Sequence, residues 1–205
     1  MIGTAMSPSH LVLHGLAIKK HADAGDIAGL IGLAADDTAR RLDDAVASGR
    51  AVQVNGKYLL TPLARIALES DYSRHYAVLR GNADFFAAYE AFERINVQLK
   101  ALITDWQTMD VGGQRVANDH SNSAHDAKVI DRLGELHERA DVILGKLAAG
   151  LPRLDYYRRN LLAALEKAED GAIEWVSDAK IESYHTLWFE LHEDLLRIVG
   201  RERAE

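Results

Sequence analysis

Asn55-Gly56 sits between two short apolar runs, Ala51–Val54 and Lys57–Leu60. Asn-Gly supplies the two positive-φ residues that a two-residue β-hairpin turn demands, so this stretch predicts a hairpin. The register follows from the turn: Val52 faces Leu59 and Gln53 faces Tyr58. The constraint is strong because the flanking sequence has helical rather than strand periodicity. Ser7-Pro8 and Thr61-Pro62 each pair a capping side chain with a proline at the first helical position. Between them lie apolar residues at helical spacing. Helices are expected over residues 8–21, from Gly25 or Asp26 to Ile31, and from Asp36 or Asp37 to a stop at Gly49, with another from Pro62 to about Glu69. In the third of these Ala39, Leu42 and Val46 read as the buried face.

Beyond residue 75 the pattern is helical throughout. A long helix is expected over 82–109, with Phe85, Phe86, Tyr89, Phe92, Ile95 and Leu99 along one side. A polar loop over 110–122 follows, then helices over 123–149, 152–168 and 181–199. Three prolines in 205 residues suit long helices. Residues 1–75 hold eight Lys/Arg and eight Asp/Glu, which leaves 16 and 23 for residues 76–205. All of the net charge of −7 therefore belongs to the second part, and a domain boundary is expected near residues 70–76, giving domains of 1–75 and 76–205. That acidic balance argues against general affinity for nucleic acid. The chain has no cysteine, which removes disulfides and thiolate metal sites. Residues 1–9 lack a signal-peptide pattern and no apolar run is long enough for a membrane span, so a cytoplasmic protein is expected.

The stretch DIAGLIGLAADDTARRLDDAVASGRAVQVNGKYLLTPLAR, residues 26–65, resembles the winged helix-turn-helix domains of MarR-like and PadR-like bacterial transcriptional regulators. The likeness rests on Ile27-Ala28, the Gly32-Leu33 turn, the third helix, Gly49 before the wing and Leu60-Thr61-Pro62 after it. The fold it implies is mainly α: a winged helix with a small β-hairpin wing, followed by an all-α helical bundle. The function it implies is a homodimeric regulator that binds double-stranded DNA, with a helical domain that dimerises and senses a small molecule. Thr38, Arg40 and Arg41 would then read the major groove, with Arg50 and Lys57 meeting phosphates from the wing. Asp36, Asp37, Asp43 and Asp44 lie on the same helix and would repel phosphate. The layout of a winged helix before about 130 helical residues also resembles FadR-type GntR regulators, although no motif of their effector domain can be matched residue by residue. A further resemblance, to segments found alongside phosphoenolpyruvate-utilising phosphotransfer proteins, implies the alternative: a non-catalytic regulatory or accessory subunit that uses its winged helix to bind protein.

Two features of the second part are candidate sites. Residues 118–126 place His120, His125, Asp119 and Asp126 close together, which suits a divalent metal, but the spacing is not diagnostic and a capped helix start explains the same residues. On the last helix Tyr184, His185, Trp188 and His192 share a broad apolar face. Glu182-x-x-His185 has di-iron spacing but lacks a second such pair. With Trp106 these residues define a candidate ligand pocket, Trp106, His120, His125, Tyr184, His185, Trp188 and His192, in which His185 or His192 meets the 118–126 loop, although a buried core face explains the same aromatic stripe. No cofactor is indicated. No nucleophile motif, phosphate loop or dinucleotide fingerprint is present, and no catalytic residue is assigned.

Overall fold

A computed structural model describes residues 6–202; part of the N-terminal stretch read for a leader, residues 1–5, lies outside the described residues. Among the described residues the protein is mainly helical, with nine α-helices and two small antiparallel hairpins. No helix is long and apolar enough to cross a membrane. The chain divides into two compact units, residues 1–86 with 190–205, and residues 87–189.

The first unit opens with α1 (Pro8–Lys19), capped by Ser7, whose side chain accepts from the His10 N–H. Helix α2 (Ala24–Ile31) is capped by Asp23 and ends on Gly32 in the left-handed region, φ 71°. Helix α3 (Ala35–Ala47) starts from Ala34 without a side-chain cap, ahead of the expected start at Asp36 or Asp37, which both lie in its first turn. Strands β1 (Ala51–Val54) and β2 (Lys57–Leu60) pair in the expected register, Val52 with Leu59 and Gln53 with Tyr58. Asn55 and Gly56 have φ of 51° and 79°, the two positive values the turn requires. Helix α4 (Pro62–His75) is capped by Thr61 and runs well past the expected end at Glu69, and the single turn α5 (Ala77–Arg80) follows. Helices α1 and α2 approach closely because Gly15 faces α2. A Cβ there would lie 2.8 Å from Ile31 Cγ2 and 3.0 Å from Ile27 Cγ2. Val12, Leu16, Ile27, Leu30 and Leu42 are essentially inaccessible and form the core of this unit.

The second unit is built on α6 (Ala83–Gln107, from residue 87), α7 (Ser123–Gly150), α8 (Asp155–Glu169) and the first turns of α9 (Tyr184–Val199). Between α6 and α7 the expected loop is a hairpin: β3 (Thr108–Val111) pairs with β4 (Gln114–Ala117) around Gly112-Gly113, both at positive φ. Its strands carry few apolar residues and are largely exposed, and Met109 and Val111 alternate with polar residues over only four positions, so the Gly-Gly turn is its main mark. Helix α7 packs along α8, and a 3-10 turn over Pro152–Leu154 joins them. Helix α9 starts at Tyr184, later than the expected residue 181. Phe92 stacks on Trp188 with ring centroids 4.8 Å apart, so the α6 apolar row meets the first turns of α9.

Candidate functional site

The outer surface of α3 is set by which of its residues turn inward. Thr38, Leu42 and Ala45 are buried, at i, i+4 and i+7. Thr38 is therefore not a solvent-facing contact residue, and Ala39 and Val46 are only half-buried. The sequence contains two overlapping helical rows there, and the small apolar residues of one drew the buried face a few tens of degrees off. Opposite the buried row stand Asp36, Arg40, Asp43 and Asp44, one cation among three carboxylates. Neither arginine of the helix is free. Arg40 bonds Asp37, and Arg41 donates to Asp37 Oδ2 at 2.8 Å and to Ser9 Oγ at 3.0 Å. The Arg41 hydrogen bond holds the Asp37 carboxyl below its ordinary value, so this charge persists into acid. Asp43 accepts from the Tyr58 hydroxyl of β2 at 2.9 Å, which ties α3 to the β1–β2 hairpin. Burial, and then that bond, push the Tyr58 phenol upward. Arg50, just before β1, and Lys57, the first residue of β2, are exposed, Arg50 donating to Ser48 Oγ at 2.9 Å.

In the second unit the expected pocket residues fall into separate groups. Trp106 and His120 come together, with ring centroids 4.6 Å apart. Asn118 organises this group: its Nδ2 donates to the Trp106 carbonyl at 2.9 Å and to Asp126 Oδ1 at 2.8 Å. His120 Nδ1 lies 3.1 Å from Asp126 Oδ2, and the Asp126 side chain is 6% exposed. His120 takes up φ 59°, unusual for a residue with a side chain, and its N–H bonds Asn118 Oδ1 at 3.0 Å. His125 turns to α6, with Nε2 at 3.0 Å from the Asp105 carbonyl, while its N–H is capped by Asn122 at 3.1 Å. His120 and Asp126 line a cavity of about 320 Å³ with Ser123, Asp131, Glu169 and Ile173. With Nδ1–H directed at Asp126, His120 offers Nε2 as an acceptor, in a site otherwise rich in carboxylates. Such a cavity suits a small ligand bearing hydrogen-bond donors or positive charge.

Tyr184 and Trp188 form the other group. The Trp188 indole donates to Asn96 Oδ1 at 3.0 Å, and the Tyr184 hydroxyl lies 3.1 Å from His137 Nδ1. Burial pushes the Tyr184 phenol strongly upward and holds both His137 and His185 below the ordinary histidine value. Among the described residues neither His185 nor Trp188 makes a hydrogen bond, ion pair or ring contact with residues 118–126. His185 therefore does not join the 118–126 loop; buried polar partners from α6 and α7 satisfy the Tyr184 and Trp188 side of the helix instead. Asn96 and His137 were missed: each is a polar residue within an apolar helical row, the one sign that it meets a buried partner.

The chain matches no protein-family model, and neither a curated protein nor a solved structure is significantly similar to it.

Proposed function

We propose that this chain is a non-catalytic regulatory subunit in which residues 8–75 act as a winged helix-turn-helix that docks on a protein surface. The order α1, α2, Gly32 turn, α3, β1–β2 and α4 supports the winged-helix reading, with β1–β2 as the wing. The observation that carries the function is the outer face of α3. Asp36, Asp43 and Asp44 surround a single Arg40 that is itself bonded to Asp37, so the face repels phosphate and suits a basic protein surface. The cavity beside His120 is the place where the helical part would take a small effector.

A second reading, a homodimeric DNA-binding regulator, draws on exposed Arg40, Arg50 and Lys57. Fluorescence polarisation against the DNA upstream of the protein's own coding sequence, at low and moderate salt, separates the two. Docking on protein predicts no preference for that DNA over a scrambled duplex. Specific binding that weakens with salt and is lost in Arg40→Ala establishes the regulator instead. Light scattering adds to this, since reading a two-fold operator needs a dimer, through residues 76–205, whereas docking on protein does not.

A further inference from the structure

His10, Asp71 and His75 converge at the start of α1 and the end of α4, and one candidate ligand atom of each lies within 4.8 Å of the others. Asp71 and His75 are four apart on α4 and so share a face. His10 crosses to them from α1: its Nε2 lies 3.3 Å from Asp71 Oδ2, and its ring is 5.4 Å from that of His75. We propose that these three residues form a binding site for a divalent transition metal ion, with Zn²⁺ as the best-suited ion.

The donor set is two imidazoles and one carboxylate, the borderline mixture that suits Zn²⁺ and its neighbours rather than Mg²⁺ or Ca²⁺. The surroundings are arranged as supporting groups around a metal are. Ser7 Oγ lies 2.9 Å from His10 Nδ1; with Nδ1–H donated to that oxygen, the Nε2 lone pair points to the shared space. Arg74 donates to Asp71 Oδ1 at 2.8 Å, which occupies one carboxylate oxygen and leaves Oδ2 for the ion. All three candidate ligands are half-buried, open enough for an ion to enter. Three protein ligands leave a fourth tetrahedral position for water or an exchangeable group. His10 and Asp71 also line a cavity of about 320 Å³ with Ser48, Arg50 and Leu63, so that position is reachable by a small molecule. The bound ion would fasten the start of α1 to the end of α4.

The test is titration of tag-free, chelator-treated full-length protein with Co²⁺, read by its visible d–d absorption, and with Zn²⁺, read by calorimetry. One ion per chain is expected, with a tetrahedral Co²⁺ spectrum and a melting temperature that rises with Zn²⁺ concentration. His10→Ala and His75→Ala should each abolish the spectrum, and Ser7→Ala should weaken binding about tenfold. His21→Ala, at an exposed histidine outside the cluster, should leave binding unchanged. Circular dichroism of the metal-free variants reports whether they fold; should an alanine variant not fold, Asp71→Asn takes its place and should likewise lose the spectrum. A wild-type protein with no Co²⁺ spectrum and no Zn²⁺ isotherm, or a spectrum that survives in folded His10→Ala and His75→Ala, overturns the proposal.

Discussion

His14 Nε2 lies 3.1 Å from Asp194 Oδ1, and both side chains are fully buried. On its other nitrogen His14 meets the Tyr72 hydroxyl at 3.0 Å, with the Tyr72 ring edge-on at 5.5 Å. The chain of Tyr72, His14 and Asp194 links α4, α1 and the end of α9 inside the first compact unit. Removing one partner of a buried pair leaves the other without its counter-group in a dry place. Asp194→Ala is therefore expected to cost about 3–5 kcal/mol of unfolding free energy, read from urea denaturation. A loss under about 1 kcal/mol would show that the pair is not buried as described.

Two histidines of the second unit, buried His137 and half-buried His185, set a pH dependence. Burial holds His137 and His185 below the ordinary histidine value of 6.5. As pH falls below 6.5 the unfolded chain takes up protons that the folded chain refuses, so stability declines from there downward. Asp141 acts lower on the scale. The Arg158 hydrogen bonds hold it below its usual 3.8, so its contribution is complete above that value and is lost as pH falls through its folded value. Urea midpoints should be level above neutrality and drop between about pH 6.5 and 5. His137→Gln, which keeps a hydrogen-bonding group beside Tyr184, should flatten that drop; an unchanged profile would contradict the assignment.

Gly15 is a packing glycine rather than a turn glycine. A methyl group there meets Ile31 and Ile27 at 2.8 and 3.0 Å, and these Cγ2 atoms lie close to their own backbone and cannot swing aside. Gly15→Ala should lower stability by about 1–2 kcal/mol, even though alanine is the better helix former. A stabilised variant would mean that α1 and α2 do not approach so closely.

Much of the first unit is legible in the sequence because its signals are local. Ser7-Pro8, Thr61-Pro62 and Asn55-Gly56 each specify a backbone geometry within three or four residues, and the β1–β2 register follows from the turn alone. The hairpin at Gly112-Gly113 shows the limit of that logic, since its strands are four residues each and largely exposed, and only Met109 and Val111 of β3 alternate with polar residues. The sites depend on distant partners. Nothing in the sequence pairs Trp188 with Asn96, or His14 with Asp194, across gaps of 92 and 180 residues. The His120 group was half legible, because Asn118, His120 and Asp126 are neighbours in sequence. The His10, Asp71 and His75 cluster left no sequence sign, being made by the packing of α1 on α4.

The central claim, that the outer face of α3 docks on protein, is tested most directly by photo-crosslinking in living cells. A photoreactive benzoylphenylalanine placed at Ala47, exposed on that face beside Asp43 and Asp44, should form one discrete protein adduct. That adduct should vanish when Asp36, Asp43 and Asp44 are replaced by lysine in an otherwise folded chain. Crosslinks to DNA in place of protein, or a protein adduct indifferent to the charge reversal, would contradict the account.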